Sequence, residues 1–409
     1  MPKTDLILVK ELENGDGYKT GFIILNSPDT LNSLTLDMVK TISDQLRNWS
    51  NDPYLAAVSI EGAGEKAFCA GGDIRALYES MLRNPGGPNP FSEEFFEQEY
   101  ENKSCCPTDT RLQFLNVLLE DFGDEYLPRF SMHYRWGNEQ NRQTISHRIA
   151  RSLMYGNEHV HPKQMAPMIL QRQTGFDGPL GLNTDEVRSS MDQQLLDLLA
   201  ILDKHFTDYQ FLLGDRPSLA DFAIYAHLYT HLLQDPFSAE IMECHGARTI
   251  NWIDTINEFG DVRGCLGQTE FGDWLDLDEG VPESLKQLLE YVSKTYVPFS
   301  AGVAKAVQEK SKKASALVYG VPTEYAAFQY RAWSLEQVQL NYQTLSDDNK
   351  SFMDELLTQT HVLPELMDNG IVHIDLFDGF TPPFVKDGVC DARVRYLKQK
   401  KRKTAPEWA

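Results

Sequence analysis

Residues Lys66 to Ile74 read KAFCAGGDI, and this short run constrains the fold of the first hundred residues more than any other. An apolar run, Ala56-Ala57-Val58-Ser59-Ile60, precedes it and reads as a buried strand. Gly62 and Gly64 then turn the chain. Gly71 and Gly72 lack a Cβ and allow the backbone to approach a ligand. Asp73 is placed to cap a helix over Ile74 to Met81. A backbone N–H at such a helix start can face a developing oxyanion, helped by the positive end of the helix dipole. A plain strand-to-helix turn would use the same residues, so the segment alone leaves both readings open.

The flanking sequence extends the pattern. Gly21 to Asn26 (GFIILN) is strand-like, and Asn26-Ser27-Pro28 leads through Leu31-Asn32-Ser33-Leu34 into a helix. Leu36 to Trp49 places Met38, Ile42, Leu46 and Trp49 on one face, with Thr35 as the cap. Together these residues resemble the opening of the crotonase superfamily, and within it the 3-hydroxyisobutyryl-CoA hydrolase family. That family begins with the same LN-x-P-x-x-LN-x-L-T-x-x-M pattern and the same FCAGGD turn. Phe91 to Tyr100 (FSEEFFEQEY) is similar to the acidic, aromatic helix that follows there.

The resemblance implies CoA-thioester chemistry in which two backbone N–H groups hold the thioester oxygen. It puts the first donor at Gly72, with Ala70, Gly71, Asp73 and Ile74 forming the substrate-binding turn. The second donor of the family comes from a later glycine-rich segment followed by catalytic carboxylates. No Gly-Gly pair follows Gly87 in this sequence, and no later acidic residue stands in a matching context. The expected site is therefore half complete.

From Leu112 the pattern turns helical. Leu112, Leu115, Leu119, Phe122 and Tyr126 share one face, and Val187, Met191, Leu195, Leu198 and Leu202 share another after a cap-like Asn183 and Glu186. In FLLGDRPSLADFAIYAHL, Ser218 and Asp221 form an S-x-x-D capping box that satisfies the first N–H groups of a buried helix. Read on spacing alone, this pair is a structural cap. Its setting resembles the G-D-x-P-S-x-A-D-F signature of the glutathione transferase C-terminal domain. Leu119 to Trp136, Gln234 to Trp252 and Tyr296 to Asp348 are similar to further helical pieces of one branch of transferase-like proteins. In those proteins a thioredoxin-like domain supplies the thiol-activating residue, whereas here the hydrolase-like segment precedes the helices.

The expected organisation follows. Residues 1–102 form a truncated α/β crotonase-like segment with exposed apolar edges, and 103–110 are a seam. Residues 111–366 form an all-α transferase-like bundle, and 367–409 an irregular connector and basic tail. His133, Tyr134, Arg135 and Trp136 are either a polar-aromatic site or packing.

Composition narrows the partners. A formal charge of −22 opposes general binding to nucleic acid or anionic membranes, and the basic run Arg393 to Lys403 reads as a solvated tail. No run approaches the roughly 18 apolar residues of a spanning helix, and the N-terminus shows no leader pattern, so a cytoplasmic setting is expected. The six cysteines lack C-x-x-C spacing, and His159 and His161 lack a third ligand, so no metal site is expected. Neither chemistry requires a cofactor. The expected ligand is a CoA thioester or glutathione, and the expected partner is a second copy of the chain. The functions left are a CoA-thioester hydrolase, a glutathione transferase-like enzyme, or a non-catalytic helical interaction module.

Overall fold

A computed structural model describes residues 6–13, 17–50, 52–73, 76, 105–154, 161–260, 272–368, 370, 371, 373 and 374. Ile74, Cys265, Cys390, His159, the Phe91–Tyr100 segment and the basic tail lie outside these residues. The chain divides into two compact units whose described parts are 6–76 and 105–374.

The first unit is a three-stranded sheet packed on one helix. Strands β1 (Ile7–Glu13) and β2 (Lys19–Leu25) are antiparallel. Helix α1 (Leu36–Ser50) then carries the chain to β3 (Leu55–Gly62), which pairs parallel to β2. Thr35 caps α1 through its hydroxyl, which accepts from Met38 N at 3.2 Å. Ile7, Ile23, Leu25, Met38 and Trp49 are buried together. Gly21 is required here, since a Cβ would stand 2.7 Å from the Trp49 ring laid across β2. The indole Nε1 donates to Glu11 Oε1 at 2.8 Å, which fixes the ring.

Two expectations for this unit need correction. The run Ala56 to Ile60 is a strand, but it is not buried. β3 lies at the edge of the sheet, and although Val58 and Ile60 pair with Gly21 and Ile23 of the core face, they remain 38% and 43% exposed. Leu46, read as part of the buried stripe of α1, is also exposed, because the narrow sheet is covered by Met38, Ile42 and Trp49.

The second unit is helical. It begins with α2 (Thr110–Tyr126), α3 (Pro128–Gly137), α4 (Glu139–Leu153), α5 (Pro162–Thr174), α6 (Asp185–His205) and α7 (Leu219–His227). A π-helical segment over Leu228–Leu233 leads into α8 (Pro236–His245) and α9 (Ala247–Gly260). Then come α10 (Glu283–Lys294), α11 (Tyr296–Gln308), β4 (Lys313–Val318), β5 (Val321–Ala326), α12 (Gln329–Gln343), α13 (Asp347–Gln359) and α14 (Glu365–Asp368). α2 packs on α7, and the apolar faces of α2 and α6 read from the sequence are buried in one core.

This unit is not all-α. β4 and β5 form an antiparallel hairpin closed by Tyr319 and Gly320, both with positive φ (51° and 75°). Such a two-residue turn matches the twist of the flanking strands. Tyr319 is held in this conformation by its N–H, which donates to Lys294 O at 2.7 Å, and by its hydroxyl, which donates to Asp197. The α6 cap also differs by one residue: Thr184, not Asn183, accepts from Val187 N, at 3.2 Å.

α2 carries an acidic run that sets a pH dependence. Burial pushes Glu120 up to about 7, reinforced by Asp124, Asp121 and Glu125. Burial also pushes Asp121 up to about 7, against the Ser334 and Tyr296 hydroxyls that donate to it. Carboxyls in the unfolded chain lose their protons near pH 4. Between about pH 4 and 7 these two groups hold more protons in the folded state, and their contribution to stability falls as pH rises through that window. Burial acts the other way on His227 and His231, pushed down to about 4 and about 3, which favour the unfolded chain below about pH 6.5. The carboxyl contribution is therefore read as a difference: Asp121→Asn is expected to lower the urea midpoint at pH 5.5 relative to that at pH 7.5, and a pH 5.5 to 7.5 difference identical to the parent chain's would contradict this.

Candidate functional site

The turn after β3 is built around Asn32. Its side chain is fully buried, and all of its carboxamide is used: Oδ1 accepts from Ser27 N at 3.0 Å, while Nδ2 donates to Ala63 O and Ala67 O, both at 2.9 Å. Asn32 and Leu31 both have φ of 57°, a left-handed conformation that Asn tolerates better than most residues. Gly62 makes the approach possible, because a Cβ there would stand 2.2 Å from Phe68 O and 2.8 Å from Asn32 Nδ2. This clasp was missed in the sequence, where Asn32 appeared only as a member of a pattern. The available signal was an Asn at a turn, two residues ahead of a strand-like bridge.

The clasp sets the backbone of the predicted site. Ala70 N donates to Leu31 O at 2.9 Å, and Gly71 N to Cys69 Sγ at 3.3 Å. Leu34 N donates to Gly71 O at 2.8 Å, and Asp73 N to Leu34 O at 2.9 Å. Leu34 and Gly72 thus form a parallel bridge, and the two bonds straddle Gly72. In that geometry the N–H and C=O of Gly72 point away from Leu34. The Gly72 N–H has no partner among the described residues. Gly71 and Gly72 are both exposed, and a Cβ on either would meet nothing within 4 Å. Gly71 needs its freedom for a φ of 93°. Asp73 Oδ1 accepts from Ala76 N at 3.3 Å. The structure therefore brings Ala70, Gly71, Gly72 and Asp73 together, with one outward backbone donor over open space.

In the helical unit, Ser218 and Asp221 form the expected reciprocal capping box. Asp221 does more than cap. Its Oδ1 also accepts from Leu212 N and from Trp252 Nε1, both at 3.0 Å. The four residues from His133 to Trp136 divide by role. Arg135 pairs with buried Asp235 through Nε and Nη2, at 2.6 and 2.9 Å, and Trp136 is packed in a small apolar cluster. His133 and Tyr134 line a cleft. His161 is exposed and caps α5 by accepting from Lys163 N. No group of three or more His, Cys, Asp or Glu among the described residues is placed to hold a metal ion. No helix among them is long and apolar enough to cross a membrane.

Comparison with known proteins assigns the two regions to different classes. Residues 20–108 match the enoyl-CoA hydratase/isomerase family model, and residues 185–230 match that of the glutathione S-transferase C-terminal domain. The N-terminal region is thus crotonase-like, and a transferase-type helical domain follows. More particularly, the N-terminal region is similar to mitochondrial 3-hydroxyisobutyryl-CoA hydrolase. It is 51% identical over 82 residues to that of Danio rerio, 49% over 80 residues to that of Bos taurus, and 46% over 81 residues to that of Homo sapiens. Each match covers 20% of this chain and 20% of the relative, so the chain spans about a fifth of the length of these curated relatives. A carnitinyl-CoA dehydratase structure from Mycobacterium thermoresistibile is 37% identical over 24% of this chain and 26% of its own, with a TM-score of 0.20.

Proposed function

We propose that this chain joins the opening of a CoA-thioester hydrolase to a transferase-like helical domain and holds a complete active site of neither kind. Its N-terminal unit is a vestigial half-site, and its helical unit acts as a non-catalytic interaction module. The observation that carries this reading is the turn at residues 70–73, where the Gly72 N–H alone has no partner among the described residues. One oxyanion donor contributes about 3–4 kcal/mol of transition-state stabilisation. Enzymes typically lower their barriers by about 8–23 kcal/mol. The second donor and the carboxylates implied by the family resemblance have no counterpart in this sequence.

What weighs against the transferase reading is that residues 20–108, ahead of the helical unit, match the hydratase/isomerase family model. The purified chain is expected to pass through immobilised glutathione at low salt. Retention, with elution by free glutathione, would revive the transferase-like alternative.

A further inference from the structure

Helices α4 and α5 make a basic pair on an acidic chain. After Glu139, their described residues 140–154 and 161–174 contain five Arg or Lys side chains and no Asp or Glu. The whole sequence has 60 acidic residues against 38 basic ones, so this stretch reverses the general balance. Ile145 and Ala150 of α4 are buried with Ala166 and Ile169 of α5, which holds the two helices together. A cleft of about 380 Å³ opens between them, lined by His147, Arg148 and Arg151 from α4 and by His161 and Lys163 at the start of α5. All five side chains are exposed, so their polar ends can reach a ligand in the cleft.

The charges gathered there are not balanced. The side chains of His147, Arg151 and Lys163 have no hydrogen-bond or ion-pair partner among the described residues. Arg148 Nη1 donates to Gln234 O at 3.2 Å and comes only within 4.0 Å of Asp235, whose carboxylate already takes two bonds from Arg135 at 2.6 and 2.9 Å. Arg151 lies in the last turn of α4, where the helix dipole favours a cation. Lys163 has no such reason. It stands in the first turn of α5, where the dipole favours Asp or Glu, and that turn holds neither. A cation set against the dipole and beside two unbalanced arginines indicates an anion that compensates all three.

The donors select the anion. His161 Nδ1 accepts from Lys163 N at 3.1 Å, which leaves the ring proton on Nε2 as a donor. Three cations and this N–H come from two helices. A carboxylate offers one charge and two oxygens, whereas a phosphoryl group offers nearly two charges and three acceptor oxygens. We propose that this cleft binds a small diphosphate. One phosphoryl group accepts from Arg148 and Arg151, and the other from Lys163 and His161 Nε2. The proposal uses α4 and α5 alone.

The test is a calorimetric titration of the full chain at low ionic strength with inorganic pyrophosphate, orthophosphate, malonate and ADP. Pyrophosphate is expected to bind saturably at one site, with orthophosphate and malonate at least tenfold weaker. ADP binding as tightly as pyrophosphate or tighter would assign the diphosphate to a nucleotide, and weaker ADP would assign it to the free anion. Arg151→Gln and Lys163→Gln are each expected to weaken pyrophosphate about fivefold, the worth of one exposed charged contact, with an unchanged urea midpoint. Arg172→Gln removes the same charge from α5 outside the cleft and is expected to leave binding unchanged. Absence of saturable pyrophosphate binding, or malonate binding as tightly, would overturn the proposal. So would binding that neither cleft variant weakens, or that Arg172→Gln weakens as much, since the anion would then sit elsewhere or respond to diffuse charge.

Discussion

Replacing Asp221 with alanine is expected to cost the helical unit more than about 4 kcal/mol, the upper end of what single substitutions do. The carboxylate is fully buried and receives four donors. Oδ1 takes Leu212 N and Trp252 Nε1, and Oδ2 takes Ser218 N at 2.9 Å and Ser218 Oγ at 2.6 Å. Truncation leaves those donors in the core without partners, at about 1–3 kcal/mol each. The loss also frees Trp252, whose ring stacks on Phe206 at 4.9 Å. The urea midpoint should fall steeply, and near-ultraviolet circular dichroism from Trp252 should weaken before unfolding. Asp221→Asn should fall between the two, since its NH2 would face the Ser218 donors. A change below about 1 kcal/mol, the size of an ordinary cap loss, would show that Asp221 is only a cap.

The second large effect is expected at Asn32. Asn32→Ala removes three hydrogen bonds at once and leaves Ser27 N, Ala63 O and Ala67 O to find other partners. It also places a residue with a Cβ and no polar compensation at a φ of 57°. Asn32→Asp keeps the acceptor for Ser27 N but turns a carboxylate oxygen toward two carbonyls, so it should cost at least as much. The core beneath holds five fully or nearly fully buried apolar side chains, Ile7, Ile23, Leu25, Met38 and Trp49. A unit this small has little stability in reserve. Either variant is expected to abolish the slow hydrogen exchange of the β2 amides while leaving the helical unit's urea midpoint unchanged. Retained protection at Ile23 and Leu25 would contradict this.

These two residues also mark how far the sequence could be read. The Ser218–Asp221 cap was legible because its two members lie three residues apart and act on the same turn. The contact from Trp252 crosses 31 residues and has no local signature. The buried faces of α2 and α6 were legible through their period, since every named position is buried. Leu46 obeyed the same period but met no sheet to cover it. The β4–β5 hairpin escaped because Ala314, Ser315 and Ala316 alternate too weakly, and Tyr-Gly is not a usual signal for its turn. At the half-site, Gly71 and Gly72 were visible as glycines. Which N–H stays free depends on the bridge to Leu34, and that bridge depends on Asn32.

The central claim is that Gly72 alone does not make an enzyme. Its most direct test is the release of free thiol from 3-hydroxyisobutyryl-CoA by the purified chain, followed with a thiol-reactive dye. The account predicts no release above the buffer rate, and no difference between the parent chain and Gly72→Ala, a substitution for which the fold has room. Steady thiol release that scales with protein concentration and falls with Gly72→Ala would contradict it, because the missing donor and base would then have to be present.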